Sequence, residues 1–351
     1  MNRSSPAGPP TGAGPIRHPV SDRMGRPMRD LRISVTDRCN FRCVYCMPKE
    51  FFGRDYAFLP KEEILSYEEI YRLARVFVEL GVQKIRLTGG EPLVRRHVER
   101  LVAVLATLPD IDLTMTTNGS LLREKAPILK EAGLQRITVS LDSLDPVVFA
   151  ALNDVGFPVQ RVLDGIDAAA AAGLTPLKVN MVVRRGYNED SIVPMARFCR
   201  SQGHLLRFIE YMDVGHTNGW RLDDMVPASE IVAILNAVLP LKPLEPNYRG
   251  EVANRFAYLD GSGEVGVIAS VTQPFCQDCT RARISADGKL FTCLFATTGR
   301  DLKSMLRNGT TDDEISAAMA GIWRAREDRY SELRSAETLG MPKVEMSYIG
   351  G

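Results

Sequence analysis

Residues 32–46, RISVTDRCNFRCVYC, join a short strand pattern to three closely spaced cysteines. Apolar and polar residues alternate in RISV, which predicts a strand, and Cys39, Cys43 and Cys46 follow at the spacing C-x3-C-x2-C. Closely spaced thiolates of this kind hold iron–sulfur clusters. Because three ligands leave one iron of a four-iron cluster without a protein ligand, we expect this loop to be the active site.

The rest of the chain repeats a strand followed by a helix. The pattern recurs about six times up to residue 212 with short connections, which is typical of a parallel sheet with helices outside. We therefore predict an α/β fold, an incomplete TIM-like (β/α)6 barrel. Beyond Trp220 the pattern changes to short antiparallel strands, including a hairpin that turns at Asp287 and Gly288. We expect this smaller C-terminal extension to close the barrel.

Composition and charge narrow the function classes. The chain has 351 residues, 45% of them apolar, and 44 basic against 43 acidic residues give a net charge of +1. No global field favours nucleic acid or a membrane, and the apolar runs are far shorter than the roughly 20 residues that span a bilayer. The first residues are rich in Pro, Gly and Ser without an apolar core, so we predict a disordered leader over residues 1–22 that is not a secretion signal.

Polar and metal-binding groups stand at the ends of the predicted strands. In parallel α/β folds such groups meet at the carboxyl ends of the strands. The groups are the first cysteine triplet, residues 89–92 (GGEP), residues 116–119 (TTNG), residues 140–143 (SLDS), Lys178 and residues 210–212 (EYM). We predict that they share one site at one rim, and that Gly89 and Gly90 let a ligand approach the backbone without a Cβ clash.

A second cysteine triplet lies in the extension. Cys276, Cys279 and Cys293 have the spacing C-x2-C-x13-C, again with no histidine nearby. A zinc site would need a fourth ligand at either triplet, so we favour iron–sulfur clusters and keep zinc as the alternative. The seventh cysteine, Cys199, lies in a helical pattern and is predicted to be a buried apolar residue.

Arginines next to the second triplet predict an anion site. Arg281 and Arg283 are two residues apart, so a strand would place both side chains on one face. Guanidinium groups bind phosphate and carboxylate through paired hydrogen bonds. Arg32, Arg86 and Lys178 lie on other predicted strands. We expect a local anion site inside a chain of nearly neutral charge.

Three regions follow from these patterns. They are the leader over residues 1–22, the barrel over residues 23–225, and a C-terminal substrate and second-cluster region over residues 226–351 that ends in Gly350 and Gly351. We expect a cytoplasmic protein, a monomer or homodimer, with no nucleic-acid and no membrane partner.

The motif CNFRCVYC resembles the CxxxCxxC signature of the radical S-adenosylmethionine (radical SAM) superfamily, and TGGEP is similar to that family's GGEP motif. The resemblance implies a partial (β/α)6 barrel and a [4Fe-4S] cluster whose unique iron binds S-adenosylmethionine. It also implies that reductive cleavage of S-adenosylmethionine gives a 5′-deoxyadenosyl radical, which abstracts a hydrogen atom.

Residues 30–351 as a whole closely resemble the GTP 3′,8-cyclase family, which begins molybdenum cofactor (molybdopterin) biosynthesis. The resemblance rests on RISVTDRCNFRCVYCMP, KIRLTGGEPLVR, TTNG, SLDS, the CxxC–TRAR–Cys stretch and the terminal glycines. It implies two [4Fe-4S] clusters, one on Cys39, Cys43 and Cys46 and one on Cys276, Cys279 and Cys293. The implied S-adenosylmethionine contacts are Tyr45, Gly90, Ser140 and Met212, with Asn118 as a further contact. The implied GTP contacts are Arg32, Arg86, Thr117, Lys178, Arg281, Ala282 and Arg283. Catalytic roles are implied for Arg281, Arg283, Gly350 and Gly351.

The same resemblance implies the reaction and its partners. The radical would take hydrogen from C3′ of GTP, C3′ would bond to C8 of guanine, and reduction would give 3′,8-cyclo-7,8-dihydro-GTP. An external electron donor would supply electrons, and the product would pass to cyclic pyranopterin monophosphate synthase. Two alternatives stay open: another radical SAM enzyme with an auxiliary cluster, such as a peptide maturase, and a zinc-stabilised, non-catalytic nucleotide-binding protein.

Overall fold

Six parallel strands, each followed by one or two helices, form the centre of the computed structural model, which describes residues 19–335 and 341–350. The strands are β1 (Asp30–Ser34), β2 (Lys84–Thr88), β3 (Asp112–Thr117), β4 (Arg136–Ser140), β5 (Lys178–Val183) and β6 (Leu205–Glu210). The helices are α1 (Tyr67–Glu79), α2 (Val98–Leu105), α3 (Leu122–Glu131), α4 (Pro146–Asn153), α5 (Val159–Ala171), α6 (Ile192–Ser201) and α7 (Ala228–Asn236). The predicted (β/α)6 order is confirmed.

The C-terminal region adds short strands and helices. They are β7 (Leu241–Leu244), β8 (Asn254–Tyr258), β9 (Glu264–Ile268), β10 (Arg281–Ile284), β11 (Lys289–Phe291), β12 (Arg300–Asp301), α8 (Lys303–Arg307), α9 (Asp312–Arg324) and α10 (Met346–Ile349). The hairpin predicted at Asp287 and Gly288 is present, because β10 and β11 pair antiparallel on either side of that turn.

The extension widens the sheet at both edges and does not close it. The described residues form one sheet in the order β12-β11-β10-β1-β2-β3-β4-β5-β6-β9-β8-β7. Strand β10 pairs parallel with β1 and β9 pairs parallel with β6, and each then continues into antiparallel neighbours. The expectation that the extension closes the barrel is therefore wrong, because its strands end in two separate edges, β7 and β12.

The two faces of the central sheet differ in polarity. In β1, Leu31 and Ile33 are fully buried against the helices, whereas Asp30 and Arg32 point to the concave interior. The same alternation occurs in the neighbouring strands because successive side chains point to opposite faces. A TIM barrel normally fills this interior with branched apolar side chains. Here charged and polar side chains such as Arg32 and Arg86 line the interior beside apolar ones and leave room for a ligand.

The end of the predicted leader is packed against the barrel. Residues 1–18 lie outside the described part of the chain, but Val20 is only 3% exposed and its N–H donates to the carbonyl of Leu80 at 3.2 Å. Asp22 is buried as well. No helix in the described ranges combines the length and apolarity that a membrane crossing requires.

Helix α4 was not predicted. We expected one helix after β4, and the structure has two, α4 and α5. Pro146 begins α4 and Asp145 caps it by accepting hydrogen bonds from the N–H groups of Val147 and Val148. The helix has only eight residues and is apolar on most sides, so it shows little helical periodicity in sequence.

Candidate functional site

One cavity opens inside the barrel, and both cysteine triplets line it. Its volume is about 290 Å³. Its lining includes Cys39, Cys43, Cys46, Cys276, Cys279, Cys293, Tyr45, Gly90, Asn118, Ser140, Met212, Arg32, Arg86, Thr117, Arg281 and Arg283. Sixteen residues singled out from sequence thus meet in one place, although they come from eight different strands or the loops that follow them.

The C-terminal end of α4 holds the first cysteine loop in place. The N–H of Arg42 donates to the carbonyl of Asn153 at 3.0 Å, and the N–H of Val44 donates to that of Leu152 at 3.2 Å. These carbonyls are in the last turn of α4, where no intrahelical partner is available. The unpredicted helix therefore fixes the loop that carries Cys39, Cys43 and Cys46.

Gly89 and Gly90 bring two loops of the protein itself into contact. The N–H of Gly90 donates to the carbonyl of Thr36 at 2.7 Å, and that of Glu91 donates to the carbonyl of Arg38 at 2.8 Å. A Cβ on Gly90 would overlap the Arg38 carbonyl oxygen. We expected these glycines to admit a ligand, but their nearest neighbours are backbone atoms of the cysteine loop.

Replacing Gly90 with alanine will destabilise the protein. The Cβ would meet a backbone carbonyl that cannot swing aside, so we expect the free energy of unfolding of the metal-free protein to fall by about 1–3 kcal/mol. Gly321→Ala is the matched control, since a Cβ added at Gly321 would have no heavy atom from outside its helix within 4 Å. In a helix, alanine is more favourable than glycine by up to about 1 kcal/mol. Denaturant titration compares the two variants, and equal stabilities would contradict the steric explanation.

Two buried carboxylates face the first cysteine loop. Glu91 is 1% exposed and accepts from the N–H of Asn118 at 2.7 Å and from the Thr117 hydroxyl at 2.7 Å. Burial raises the pKa of Glu91 to about 7 despite these hydrogen bonds. Asp142 accepts from the Tyr45 hydroxyl at 2.6 Å, and burial raises the pKa of Asp142 to about 6. Glu91 thus ties the end of β3 to the GGEP turn, and Asp142 orients Tyr45.

The second triplet lies in a more positive environment. Arg281 donates to the sulfur of Cys279 from Nε at 3.4 Å and from Nη2 at 3.3 Å. Burial alone would raise the pKa of Cys279, but the charges of Arg281 and Arg326 outweigh burial and lower it to about 6. Burial raises the pKa of Cys39 to about 12. Cys279 is therefore converted to a thiolate ligand more readily than Cys39.

Six arginines line the cavity. They are Arg32, Arg86, Arg207, Arg281, Arg283 and Arg326. Burial and neighbouring arginines lower the pKa values of Arg86 and Arg283 to about 10 each. The Nε of Arg207 is buried and has no hydrogen-bond partner among the residues described. The site therefore holds an excess of positive charge that suits an anion.

Arg207 was missed from sequence. It sits in the middle of β6, paired with Asn180 of β5, and a scattered arginine in a strand gives no signal by itself. The alternation LLRFIE did contain the information, since it places Arg207 on the same face as Ile209 and opposite Phe208.

Two predicted GTP residues do not line the cavity. Lys178 is the first residue of β5 and so lies at the amino end of that strand, whereas we expected it at the carboxyl end. Burial, followed by repulsion from Arg207 and Arg136, lowers the pKa of Lys178 to about 7. Ala282 is fully buried in the apolar core because it alternates with Arg281 and Arg283.

The C-terminal segment enters the cavity. Met346 and Ser347 line it, and the carbonyl of Gly350 accepts a hydrogen bond from Arg283. Gly350 has φ +76°, and a Cβ there would overlap the Thr88 hydroxyl. Upstream, the buried Lys343 pairs with the carboxylate of Asp213 at 2.8 Å. Gly351 lies outside the described residues.

The cysteines fit iron–sulfur ligation by their chemistry. All six are free thiols, partly buried at the cavity wall. Nitrogen donors approach the sulfur of Cys39 as well, from the N–H of Phe41 at 3.4 Å and from Asn118 Nδ2 at 3.8 Å. Such hydrogen bonds tune cluster potentials. Within residues 19–335 and 341–350, no three Cys, His, Asp or Glu side chains are grouped for a single metal ion.

The open parallel sheet, the cysteine loop after β1 and the glycine turn after β2 define a protein of the radical SAM class. The sequence profile of the radical SAM superfamily matches residues 33–199, and that of Molybdenum Cofactor Synthesis C matches residues 204–332. The structure resembles Streptococcus suis SuiB bound to S-adenosylmethionine with a TM-score of 0.60, over 90% of this chain and 72% of that one. At 15% identity this likeness concerns the fold alone.

Curated relatives identify the family within that class. A protein of Acidothermus cellulolyticus named GTP 3′,8-cyclase is 55% identical, over 96% of this chain and all of the relative. One of Staphylococcus haemolyticus with the same name is 48% identical, over 95% of this chain and 99% of the relative. The chain belongs to the GTP 3′,8-cyclase family, a family of radical SAM enzymes in molybdenum cofactor biosynthesis.

Proposed function

We propose that this protein converts GTP to 3′,8-cyclo-7,8-dihydroguanosine 5′-triphosphate, the first step of molybdenum cofactor biosynthesis. The observation that carries the proposal is the shared cavity, which has one cysteine triplet after β1, the other beside β10 and six arginines in its wall. A radical generator and an anion-binding wall are thus present in one enclosed space.

The first cysteine loop is proposed to hold the [4Fe-4S] cluster that the radical SAM family implies. Cys39, Cys43 and Cys46 would be its ligands, and Tyr45, Gly90, Ser140, Met212 and Asn118 would contact S-adenosylmethionine. When bound, the cluster and S-adenosylmethionine supply a 5′-deoxyadenosyl radical. The carboxylate of Glu91 lies at the same turn and orients Thr117 and Asn118.

The second triplet is proposed to hold another [4Fe-4S] cluster and to face the guanine of GTP. Cys276, Cys279 and Cys293 would be the ligands. The triphosphate would bind at Arg32, Arg86, Thr117, Arg281 and Arg283, which line the cavity, with Arg207 added by the structure. Lys178 and Ala282 lie outside that lining, so Lys178 would act on the triphosphate through its charge alone. Charge contacts at the phosphates lie away from C3′ and C8, so their binding energy serves to position the reacting atoms. Arg283 also holds Gly350 and so joins the substrate wall to the tail.

Replacing Arg207 with methionine will weaken GTP binding. Its guanidinium has an unpartnered Nε in the described structure and faces the cavity. A hydrogen bond to a charged group contributes about 1.5–3 kcal/mol, so we expect the dissociation constant for GTP to rise about tenfold or more. Arg185→Met is the matched control, because Arg185 forms an exposed pair with Glu230. Calorimetry on both variants, with S-adenosylmethionine binding as a second readout, would expose a general folding defect.

GTP binding will weaken as pH rises above about 7. The pKa of Lys178 in the free protein is about 7 because of burial and neighbouring cations. Lys178 interacts with the charges of Arg207 and Arg86, which line the cavity, so a triphosphate bound there favours the charged form of Lys178. Above that pKa, binding must take up a proton, so affinity falls by up to about tenfold per pH unit. Lys178→Arg and Lys178→Met should both lose this slope. If both variants keep the wild-type slope, Lys178 is not the titrating group, since phosphate ionisation is common to all three proteins.

Further parts of the proposal concern partners and location. An external electron donor, transfer of the product to cyclic pyranopterin monophosphate synthase, and a monomer or homodimer remain predictions. A cytoplasmic location is proposed on the grounds that the cysteines are free thiols, which reducing compartments preserve. The peptide-maturase alternative has less support, since the long, similar relatives are named as cyclases.

Anaerobic incubation with GTP, S-adenosylmethionine and a reductant tests the function directly. We expect 5′-deoxyadenosine and the cyclised nucleotide in equal amounts. Metal analysis of the same anaerobic preparation separates the remaining alternative, because zinc without iron or sulfide would support a zinc-stabilised nucleotide-binding protein. Cleavage of S-adenosylmethionine without any cyclised nucleotide in the presence of GTP would overturn the substrate assignment.

A further inference from the structure

A buried charged network lies behind the second cysteine triplet. Asp22, Arg26 and Arg326 are 7%, 1% and 4% exposed. Two of them precede β1 and the third follows α9, so segments about 300 residues apart in sequence meet here. Buried arginines are rare unless they are paired or serve a ligand.

The two arginines hold the backbone of the cysteine loop. Arg26 donates from Nη1 to the carbonyl of Cys276 at 2.7 Å, and Arg326 donates from Nη1 to the carbonyl of Cys279 at 2.7 Å. One oxygen of Asp22, Oδ2, accepts from Arg26 Nε at 2.5 Å and from Arg326 Nη1 at 3.3 Å. The network thus clamps both ends of the CxxC turn.

The other contacts of the network fix its own position. Asp22 Oδ1 accepts from the N–H groups of Met24 and Arg26, each at 2.9 Å. The indole of Trp323 donates to the carbonyl of Arg26 at 3.0 Å. The clamp is therefore anchored in the N-terminal segment and in α9.

The buried part of the network carries more positive than negative charge. Asp22 faces two guanidinium groups. The second carboxylate, Asp328, lies 3.3 Å from Arg326 and lines the same cavity, but it is one-third exposed, so solvent screens its charge. In the part of the chain that the structure describes, Arg26 Nη2 is buried without a hydrogen-bond partner. Arg326 lines the cavity beside the cysteines. A buried positive charge beside the cysteines favours added negative charge on a group that those cysteines hold.

We propose that Asp22, Arg26 and Arg326 are positioning residues of the second cluster, which fix the turn between Cys276 and Cys279 and raise the reduction potential of the cluster. The inference rests on the proposed second cluster. The clamp holds the loop through its carbonyls, and the net positive charge of these three buried residues stabilises the reduced state of the cluster relative to the oxidised one. Residues 19–29 thereby belong to the active site, although they precede the part that the radical SAM profile matches.

Two substitutions that change the charge of the network in opposite directions test this role. Arg326→Gln removes a positive charge, and we expect reduction of the second cluster to become about tenfold less favourable, which is about 59 mV for one electron. Asp22→Asn keeps the Oδ1 acceptor and removes a negative charge, so it should shift the potential in the opposite direction. Arg326→Lys keeps the charge and should stay near wild type. Arg329→Gln, an exposed residue paired with Glu332, is the matched control and should change nothing.

The readouts are iron content and an anaerobic redox titration followed by electron paramagnetic resonance. Wild-type protein should contain about eight irons per chain, and the first cluster should keep its potential in every variant. Equal potentials in wild type, Arg326→Gln and Asp22→Asn, or shifts of the same sign, would overturn the inference and leave the proposed function intact. About four irons per chain and one signal in wild type would instead show that the protein has no second cluster, and this result would also overturn the proposed substrate wall.

Discussion

Removal of Gly350 and Gly351 will abolish cyclisation of GTP while both clusters stay bound. The tail enters the cavity, and the carbonyl of Gly350 is held by Arg283 on the wall that we assign to the substrate. The cysteines lie on other segments, so the iron content should not change. A displacement of about 1 Å in a positioning contact can lower a rate about 100-fold, so turnover below one-hundredth of wild type is expected.

Gly350→Ala should have nearly the same effect as the deletion. A Cβ there would overlap the hydroxyl of Thr88, and φ of +76° disfavours any other residue. Adding Thr88→Ala removes the overlapped atom and should restore part of the activity, although the backbone strain remains. Rates of nucleotide formation and iron content per chain measure both effects. If the truncated protein turned over GTP at the wild-type rate, the tail would have no part in the reaction.

Serine substitutions in the two cysteine triplets will give different losses. Cys43→Ser should abolish formation of 5′-deoxyadenosine, because the first cluster starts the chemistry. Cys279→Ser should keep 5′-deoxyadenosine formation and lose the cyclised nucleotide, because the proposed second cluster faces only the substrate. Iron content should fall by about half in each.

Cys199→Ser is the matched control for these variants. Cys199 is 1% exposed on α6 and contacts the apolar core, so its replacement can cost stability but should leave iron content and both products unchanged. Full cyclisation by Cys279→Ser, or 5′-deoxyadenosine from Cys43→Ser, would mean that the roles of the two triplets are wrongly assigned.

Much of the fold and of the candidate site was predictable because it depends on local patterns. The spacing of Cys39, Cys43 and Cys46, the alternation within each strand and the glycines after β2 are all readable in short windows. Since parallel strands carry their carboxyl ends to one edge, the order of motifs also predicted a shared cavity. Each predicted group of the rim except Lys178 contributes residues to the cavity of the structure.

Other features were wrong or missed for identifiable reasons. Helix α4 is short and apolar on most sides, and its role is to hold the cysteine loop through Asn153 and Leu152, which no periodicity reveals. Lys178 is the first residue of its strand, although we expected it near the carboxyl end of a strand. The prediction failed because strand boundaries depend on pairing with β4 and β6. Whether the sheet closes likewise depends on which edges pair.

Residues 32–46 show which properties the sequence determines by itself and which depend on the tertiary structure. From sequence alone they are a strand followed by three metal-binding thiols, since ligand type and spacing are properties of the chain itself. The tertiary structure decides that Gly90 and α4 hold this loop and that Arg207 lines the same cavity. It also decides that Asp22 and Arg326 clamp the opposite triplet. These contacts join residues far apart in sequence, and burial and charge pairing select them only once the chain has folded.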